Sequence, residues 1–225
     1  MGMQIIGHRG ARGLAPENTI ASLEKAIEHH VDEIEFDVRV TKDHVPILHH
    51  DEDVSDPTGR KLRISTHSFE ELRDHKTNLA TLEEVFESLK PSTPLLIEVK
   101  PDEPLEPIIN VLKRYLGKNW PLGKASFCSF SFSALQEIKR AFPEASLVVN
   151  ERWSGVRAST RARKLGTKRI TMRAEWLWSG FIRQVAKSGY QLSAYTVNDP
   201  AKAKKWERYG LYGVVTDFPD RFERT

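Results

Sequence analysis

The residues able to do chemistry fall in a few short motifs: His8-Arg9-Gly10, Glu35-Phe36-Asp37, His50-Asp51 and Glu98-Val99-Lys100. Residues two apart on a strand share a face, so Glu35 points with Asp37, and Glu98 with Lys100. Three converging carboxylates with no cysteine beside them make a hard, all-oxygen donor set. Such a set suits one divalent metal, Mg²⁺ or Ca²⁺, better than zinc. The alternative is a metal-free buried ion-pair network of Glu35, Asp37, Glu98 and Lys100. His8 and His50 are candidates for general base and general acid beside that site; the alternative is one catalytic histidine and one on the surface. Arg9 offers a fork for phosphate oxygens and Lys100 a point charge. Cations, a divalent metal and two acid–base groups together point to a phosphorylated small-molecule substrate.

These motifs need elements that bring them to one place. Gln4–Gly7 reads as a strand, and Asn18–His30 places Ile20, Leu23, Ala26 and Ile27 at helical spacing. Glu33–Val40 alternates strictly, with Ile34, Phe36, Val38 and Val40 on one face and Glu33, Glu35, Asp37 and Arg39 on the other. Further strands are expected at Leu95–Lys100, Ala125–Phe130, Ser146–Asn150, Arg169–Met172, Gln191–Val197 and Gly213–Asp217. Helices are expected between them at Thr81–Leu89, Leu105–Leu116, Ser133–Phe142, Val156–Leu165, Trp176–Ser188 and Ala201–Tyr209. Eight strands alternating with helices predict an α/β fold, a TIM (β/α)8 barrel, its last helix short or missing. The apolar face of Glu33–Val40 must meet the helix layer, so Glu35 and Asp37 point into the barrel.

A ninth strand candidate, Val45–His49, is too close to Glu33–Val40 for a parallel crossover. It reads as the returning arm of a β-hairpin at the barrel rim. A two-residue turn at Lys42-Asp43 would set Glu35 opposite His50. The polar stretch after it, about 51–80, predicts a small cap within a single domain spanning 1–225.

The chain of 225 residues carries 34 Lys+Arg against 31 Asp+Glu, a net charge of +3. That is too small an excess to suggest a nucleic-acid partner. The basic stretch Arg157, Arg161, Arg163, Lys164, Lys168, Arg169 and Arg173 reads mainly as a solvated helix face with its flanks. Trp176 and Trp178 read as core or rim packing rather than as lining of the mouth. A single cysteine, Cys128, excludes an intrachain disulfide and a cysteine zinc site. No apolar run approaches 20 residues, so no stable membrane insertion is expected. The first residues lack a signal-peptide pattern, and a cytoplasmic protein is expected. The oligomeric state is not legible.

His8-Arg9-Gly10, Pro16-Glu17-Asn18-Thr19, Glu35-x-Asp37, His50-Asp51, Glu98-x-Lys100, Thr196-Val197-Asn198 and Thr216-Asp217-x-Pro219 together resemble the glycerophosphodiester phosphodiesterase family. The resemblance runs from residue 5 to 220, and the order of its separate motifs makes it specific. It implies a TIM-barrel, metal-dependent hydrolase releasing glycerol 3-phosphate and an alcohol. By the family pattern Glu35, Asp37 and Glu98 hold the metal, and His8 and His50 are the acid–base pair. Arg9 and Lys100 would bind phosphate. Tyr195 stands where the family commonly has Trp, in the substrate pocket. The nucleophile is water or the glycerol 2-hydroxyl. Other readings are a related phosphodiesterase acting on lysophospholipids or phosphoinositides, and a non-catalytic barrel that only binds.

Overall fold

The computed structural model describes residues 2–56 and 58–222. In chain order the elements are β1 (Gln4–Gly7), α1 (Ile20–Glu28), β2 (Glu33–Val40), β3 (Pro46–Leu48), β4 (Asp53–Ser55), β5 (Lys61–Arg63), α2 (Phe69–His75), α3 (Leu82–Ser88) and β6 (Leu95–Val99). They continue with α4 (Leu105–Tyr115), β7 (Ala125–Ser129), α5 (Phe132–Ala141), β8 (Ser146–Glu151), α6 (Gly155–Leu165), β9 (Arg169–Arg173), α7 (Ser179–Lys187), β10 (Gln191–Tyr195), α8 (Pro200–Glu207) and β11 (Gly213–Thr216).

Eight of these strands pair in parallel in the order β1-β11-β10-β9-β8-β7-β6-β2, and β2 closes the circle against β1. This is the TIM barrel expected from the alternation. A 3-10 turn, Pro219–Phe222, follows β11 in place of a full helix among the described residues. The outward side chains of β2, namely Ile34, Phe36, Val38 and Val40, are buried beneath the helix layer. Burial of that size contributes roughly 1.5–3 kcal/mol per large side chain, and it forces the alternate residues inward.

The inward residues form layers. At the N-terminal floor, Arg169 donates from Nη1 to Ser126 Oγ at 2.8 Å and to Ser146 Oγ at 3.1 Å, and it pairs through Nη2 with Glu33. Above it lies an apolar layer of Ile6, Leu96, Cys128, Val148 and Val215. The polar side chains of the mouth stand on that layer. At the mouth, helix starts are pinned within a few residues of the strand ends. Ser131, Ser154 and Asp199 accept from the first-turn amides of α5, α6 and α8, and each such cap is worth about 1 kcal/mol.

The structure corrects three local expectations. The hairpin pairs Val38 with Leu48 and Val40 with Pro46, one residue off the expected register. The Thr41 amide bonds the Val45 carbonyl, which leaves a three-residue turn, residues 42–44, and His44 takes a left-handed conformation (φ 63°) where glycine would be usual. Glu35 therefore does not face His50. Second, α7 begins at Ser179 rather than Trp176. Ala174–Trp176 forms a 3-10 turn, which leaves Trp176 and Trp178 exposed on the rim. Third, the basic stretch is not one surface. Arg169 closes the floor, whereas Arg157 and Arg173 lie at the mouth end.

The stretch after the hairpin holds the β4–β5 pair and α2. Val54, Ile64, Leu72 and Leu79 pack with Ile47 of β3 in a small apolar cluster of their own. No helix among the described residues is long and apolar enough to cross a membrane.

Candidate active site

The C-terminal ends of the barrel strands enclose a cavity of about 760 Å³. His8, Arg9, Glu35, Asp37, His50, Glu98, Lys100 and Tyr195 all line it. Residues from five separate strands or the loops after them are thus brought to one space, where parallel barrels carry their chemistry.

The carboxylates come first. One oxygen each of Glu35, Asp37 and Glu98 lie within 4.8 Å of one another, and all three side chains are buried. Asp37 is the best compensated. Lys100 Nζ stands 2.6 Å from its Oδ1, and Asn18 Nδ2 donates to its Oδ2 at 2.9 Å. Burial would raise its pKa, but Lys100 and then Arg9 outweigh burial and hold it well below the usual carboxylate range. Glu98 pairs with Lys100 at 2.6 Å and accepts from Asn150 Nδ2 at 2.9 Å. Even so, burial, with Asp37 beside it, lifts its pKa. Glu35 accepts a 2.8 Å bond from the Arg9 amide and makes no ion pair within 4 Å among the described residues. Burial and the negative charges of Asp37 and Glu98 push it well above the ordinary range.

This donor set fits a hard cation. The oxygens are close enough to share one ion with ligand distances of roughly 2.0–2.6 Å. Glu35 and Glu98 are raised chiefly by burial and also by their acidic neighbours, and a cation bound between them would favour their charged forms. Lys100 compensates two of the three carboxylates, so the metal-free ion-pair network is half-formed; the acid left without a cation is Glu35.

The two histidines are each oriented by a carboxylate. His8 Nδ1 lies 2.6 Å from Asp217 Oδ1. Asp217 is held below the usual range: burial opposes this, but its bonds to His8 and Asn198 prevail. An ionised carboxylate only accepts, so His8 Nδ1 carries a proton, and Nε2 is the ring nitrogen not committed to Asp217. Asn198 completes the unit. Its Oδ1 accepts from the Asp217 amide and from Thr216 Oγ1, and its Nδ2 donates to Asp217 Oδ2 at 2.8 Å. His50 Nδ1 lies 2.7 Å from Asp51 Oδ1, at a more exposed position. Burial lowers the His50 pKa, and Lys100 and Arg9 add to this against the pull of Asp37.

Arg9 sits in a tight turn after β1. Its φ is 50°, and that of Gly10 is 83°. A Cβ on Gly10 would lie 2.4 Å from Ser22 Oγ, so only glycine fits. The Arg9 guanidinium pairs with Glu17 at 2.6 Å and approaches Asp37 at 3.3 Å. The atom nearest Asp37 is its buried Nε, which makes an ion-pair contact but no well-aligned hydrogen bond; the buried Oγ1 of Thr171, a residue that also lines the cavity, lacks a partner among the described residues. Across the cavity Tyr195 meets Phe130 edge to face at 6.1 Å, and Arg152 lies over the Phe130 ring at 5.2 Å. Burial and then Glu98 raise the Tyr195 pKa, so its hydroxyl stays neutral.

The profile of the glycerophosphoryl diester phosphodiesterase family matches residues 8–221. The chain belongs to that family. YhdW of Bacillus subtilis is 31% identical over 238 residues, covering 97% of this chain and 96% of that protein. A second Bacillus subtilis protein, named glycerophosphodiester phosphodiesterase, is 28% identical over 97% of this chain and 85% of its own length. Among solved structures, an Oleispira antarctica phosphodiesterase in complex with its product sn-glycerol 3-phosphate aligns with a TM-score of 0.85 and 27% identity. That alignment covers 98% of this chain and 95% of the other.

Against this family member's geometry, sequence reasoning missed the roles of Asp217, Asn198 and Asn18, although all three stand in its motifs. Asp217 was detectable by parity, because it follows inward-facing Val215 by two positions.

Proposed function

We propose that this chain hydrolyses glycerophosphodiesters to glycerol 3-phosphate and an alcohol, using a divalent cation, Mg²⁺ or Ca²⁺, held by Glu35, Asp37 and Glu98. One observation carries the reading: three buried carboxylates, two carboxylate-oriented imidazoles and two cations line a single cavity in a chain of this family. When bound, the metal supplies Lewis-acid polarisation of a phosphoryl oxygen. The chain's own residues do the rest. Arg9 and Lys100 offset charge on the phosphoryl oxygens as it builds towards the transition state. One histidine takes a proton at Nε2 from the nucleophile, and the other returns one to the departing alkoxide. Asp217 and Asp51 bond Nδ1 of each ring and so orient its Nε2; the base starts as neutral imidazole and the acid as imidazolium, and the two have exchanged protonation states when the alcohol leaves. Attack by water gives glycerol 3-phosphate directly. Attack by the glycerol 2-hydroxyl passes through a cyclic phosphate that water then opens.

The complex of the Oleispira antarctica enzyme with sn-glycerol 3-phosphate supports the choice of product. A second reading, the same chemistry on lysophospholipids, is favoured by the exposed tryptophans beside the mouth; a mouse relative 24% identical over 96% of this chain is named a lysophospholipase D.

The test is a turnover screen of glycerophosphocholine, glycerophosphoethanolamine, glycerophosphoglycerol and lysophosphatidylcholine, each with Mg²⁺, Ca²⁺ or EDTA. Release of glycerol 3-phosphate that EDTA abolishes is the expected result. Full turnover in EDTA would remove the metal from the reading, and no turnover of any of the four would remove the reading itself.

A further inference from the structure

Among the described residues six large apolar side chains are exposed, and four of them lie on two neighbouring segments, the β8–α6 connection with the first turn of α6 and the β9–α7 connection. Trp153 (56% exposed) and Val156 (80%) follow β8; Trp176 (54%) and Trp178 (63%) follow β9. These strands are paired in parallel, so both loops leave the same end of the barrel, the end that holds the cavity. The helices that follow them touch at their first turns. The Phe181 ring covers Gly155 so closely that a Cβ there would lie 2.5 Å from it, and Trp178 packs on Phe181 at 5.3 Å. The four side chains therefore form one raised lip on one side of the mouth. None of them lines the cavity.

The charges around the lip are mostly positive. Arg152, Arg157 and Arg173 are exposed there. Facing them are Glu175, exposed and paired with Arg173, and Glu151, which is buried and paired with Arg157. Arg152 makes no ion pair among the described residues; its guanidinium lies over Phe130 at the cavity wall. Indoles flanked by arginines combine an apolar body with a polar, cationic edge. That chemistry matches the boundary between lipid headgroups and acyl chains, where Trp and Arg are both accommodated.

We infer that this lip docks the protein on a phospholipid surface carrying anionic lipid, with Trp153, Val156, Trp176 and Trp178 in the interface and the arginines on the headgroups. Docking there sets the mouth of the barrel beside the lipid surface. The contact is peripheral and reversible: four side chains bury far less apolar area than a spanning helix. It does not depend on which phosphodiester the site cuts.

The experiment is co-sedimentation of the full chain with phosphatidylcholine vesicles, with and without phosphatidylserine, in the absence of any substrate. Tryptophan fluorescence is read in parallel. Wild type is expected to pellet with the anionic vesicles, less so at high salt, and its emission to shift to the blue as the exposed indoles leave water. The remaining two tryptophans, Trp120 and Trp206, are already buried and contribute no shift. The triple substitution Trp153→Ser, Trp176→Ser, Trp178→Ser should weaken partitioning by about tenfold or more, with turnover of soluble glycerophosphodiesters unchanged. Wild type that stays in the supernatant with unshifted emission overturns the inference. So does self-association that the triple substitution abolishes without any vesicle binding, because the lip would then belong to a second copy of the chain. Because binding is read without turnover, its failure is separable from failure of the hydrolase reading.

Discussion

Asp217→Asn isolates the orientation of His8 with almost no change in shape. The outcome follows from the hydrogen bonds around the residue. Asn198 cannot flip, because its Oδ1 accepts from both the Asp217 amide and Thr216 Oγ1. Its Nδ2 therefore still points a donor at the side chain of position 217. The carboxamide introduced there must answer that donor with its carbonyl oxygen, which turns its own NH₂ group towards His8 Nδ1. That nitrogen can then only accept, so the ring proton moves to Nε2, where it blocks His8 as a base; as an acid, His8 would lack the imidazolium form that needs both nitrogens to donate. The same change removes the negative charge that stabilises the imidazolium. Loss of a correctly placed acid–base group costs about 10²–10⁴ in kcat, or about 3–5 kcal/mol in the barrier. The proposed reading assigns substrate binding to Arg9, Lys100 and the metal ligands, so KM should stay within about threefold. The assay is steady-state turnover of glycerophosphocholine, with a thermal melt to confirm folding. A folded variant that keeps more than about a third of the wild-type kcat would refute the assignment of Asp217 as the residue that positions His8.

Three further outcomes follow from the same geometry. Glu35 is held above the ordinary glutamate range, chiefly by burial and then by Asp37 and Glu98. A raised carboxyl pKa favours folding at low pH, and that contribution is lost as pH climbs through the folded value. In EDTA, Glu35→Gln should therefore melt higher than wild type at pH 8 and by a smaller margin at pH 5, with about 2–4 °C for each kcal/mol of destabilisation removed. Added Mg²⁺ or Ca²⁺ should shrink the gap, and a gap larger at pH 5 contradicts the assignment. Gly10→Ala places a Cβ against Ser22 at a positive φ. It should destabilise by at least about 2 kcal/mol and lower activity through displacement of Arg9; an unchanged melting temperature would argue against the tight turn. Arg169→Ala leaves Glu33 without its partner at the barrel floor. It should cost about 3–5 kcal/mol of stability while kcat of the folded fraction, measured at low temperature, stays at the wild-type level.

Facing was legible in the sequence, and pairing was not. The alternation through Glu33–Val40 identifies a strand, and the apolar set Ile34, Phe36, Val38 and Val40 leaves Glu35 and Asp37 no direction but inward. The same parity places Glu98 and Lys100, because the registers of β2 and β6 set Asp37 beside Glu98. Such periods are local and repeat eight times, so a barrel can be counted from them. What failed depends on single backbone conformations or distant partners. His44 at φ 63° lengthens the hairpin turn by one residue, and that slip removes the expected pairing of Glu35 with His50. His50 still reaches the cavity, because it has already left β3 and is held instead by Asp51 and by its carbonyl's bond from Arg39 Nε. The partner of His8 is 209 positions away, at Asp217. Nothing in local spacing reports such a contact; only closure of the ring, with β1 beside β11, makes them neighbours. In a closed barrel the first and last strands always meet. A histidine ending the first and a carboxylate ending the last are thus candidates for one catalytic unit before any coordinates exist.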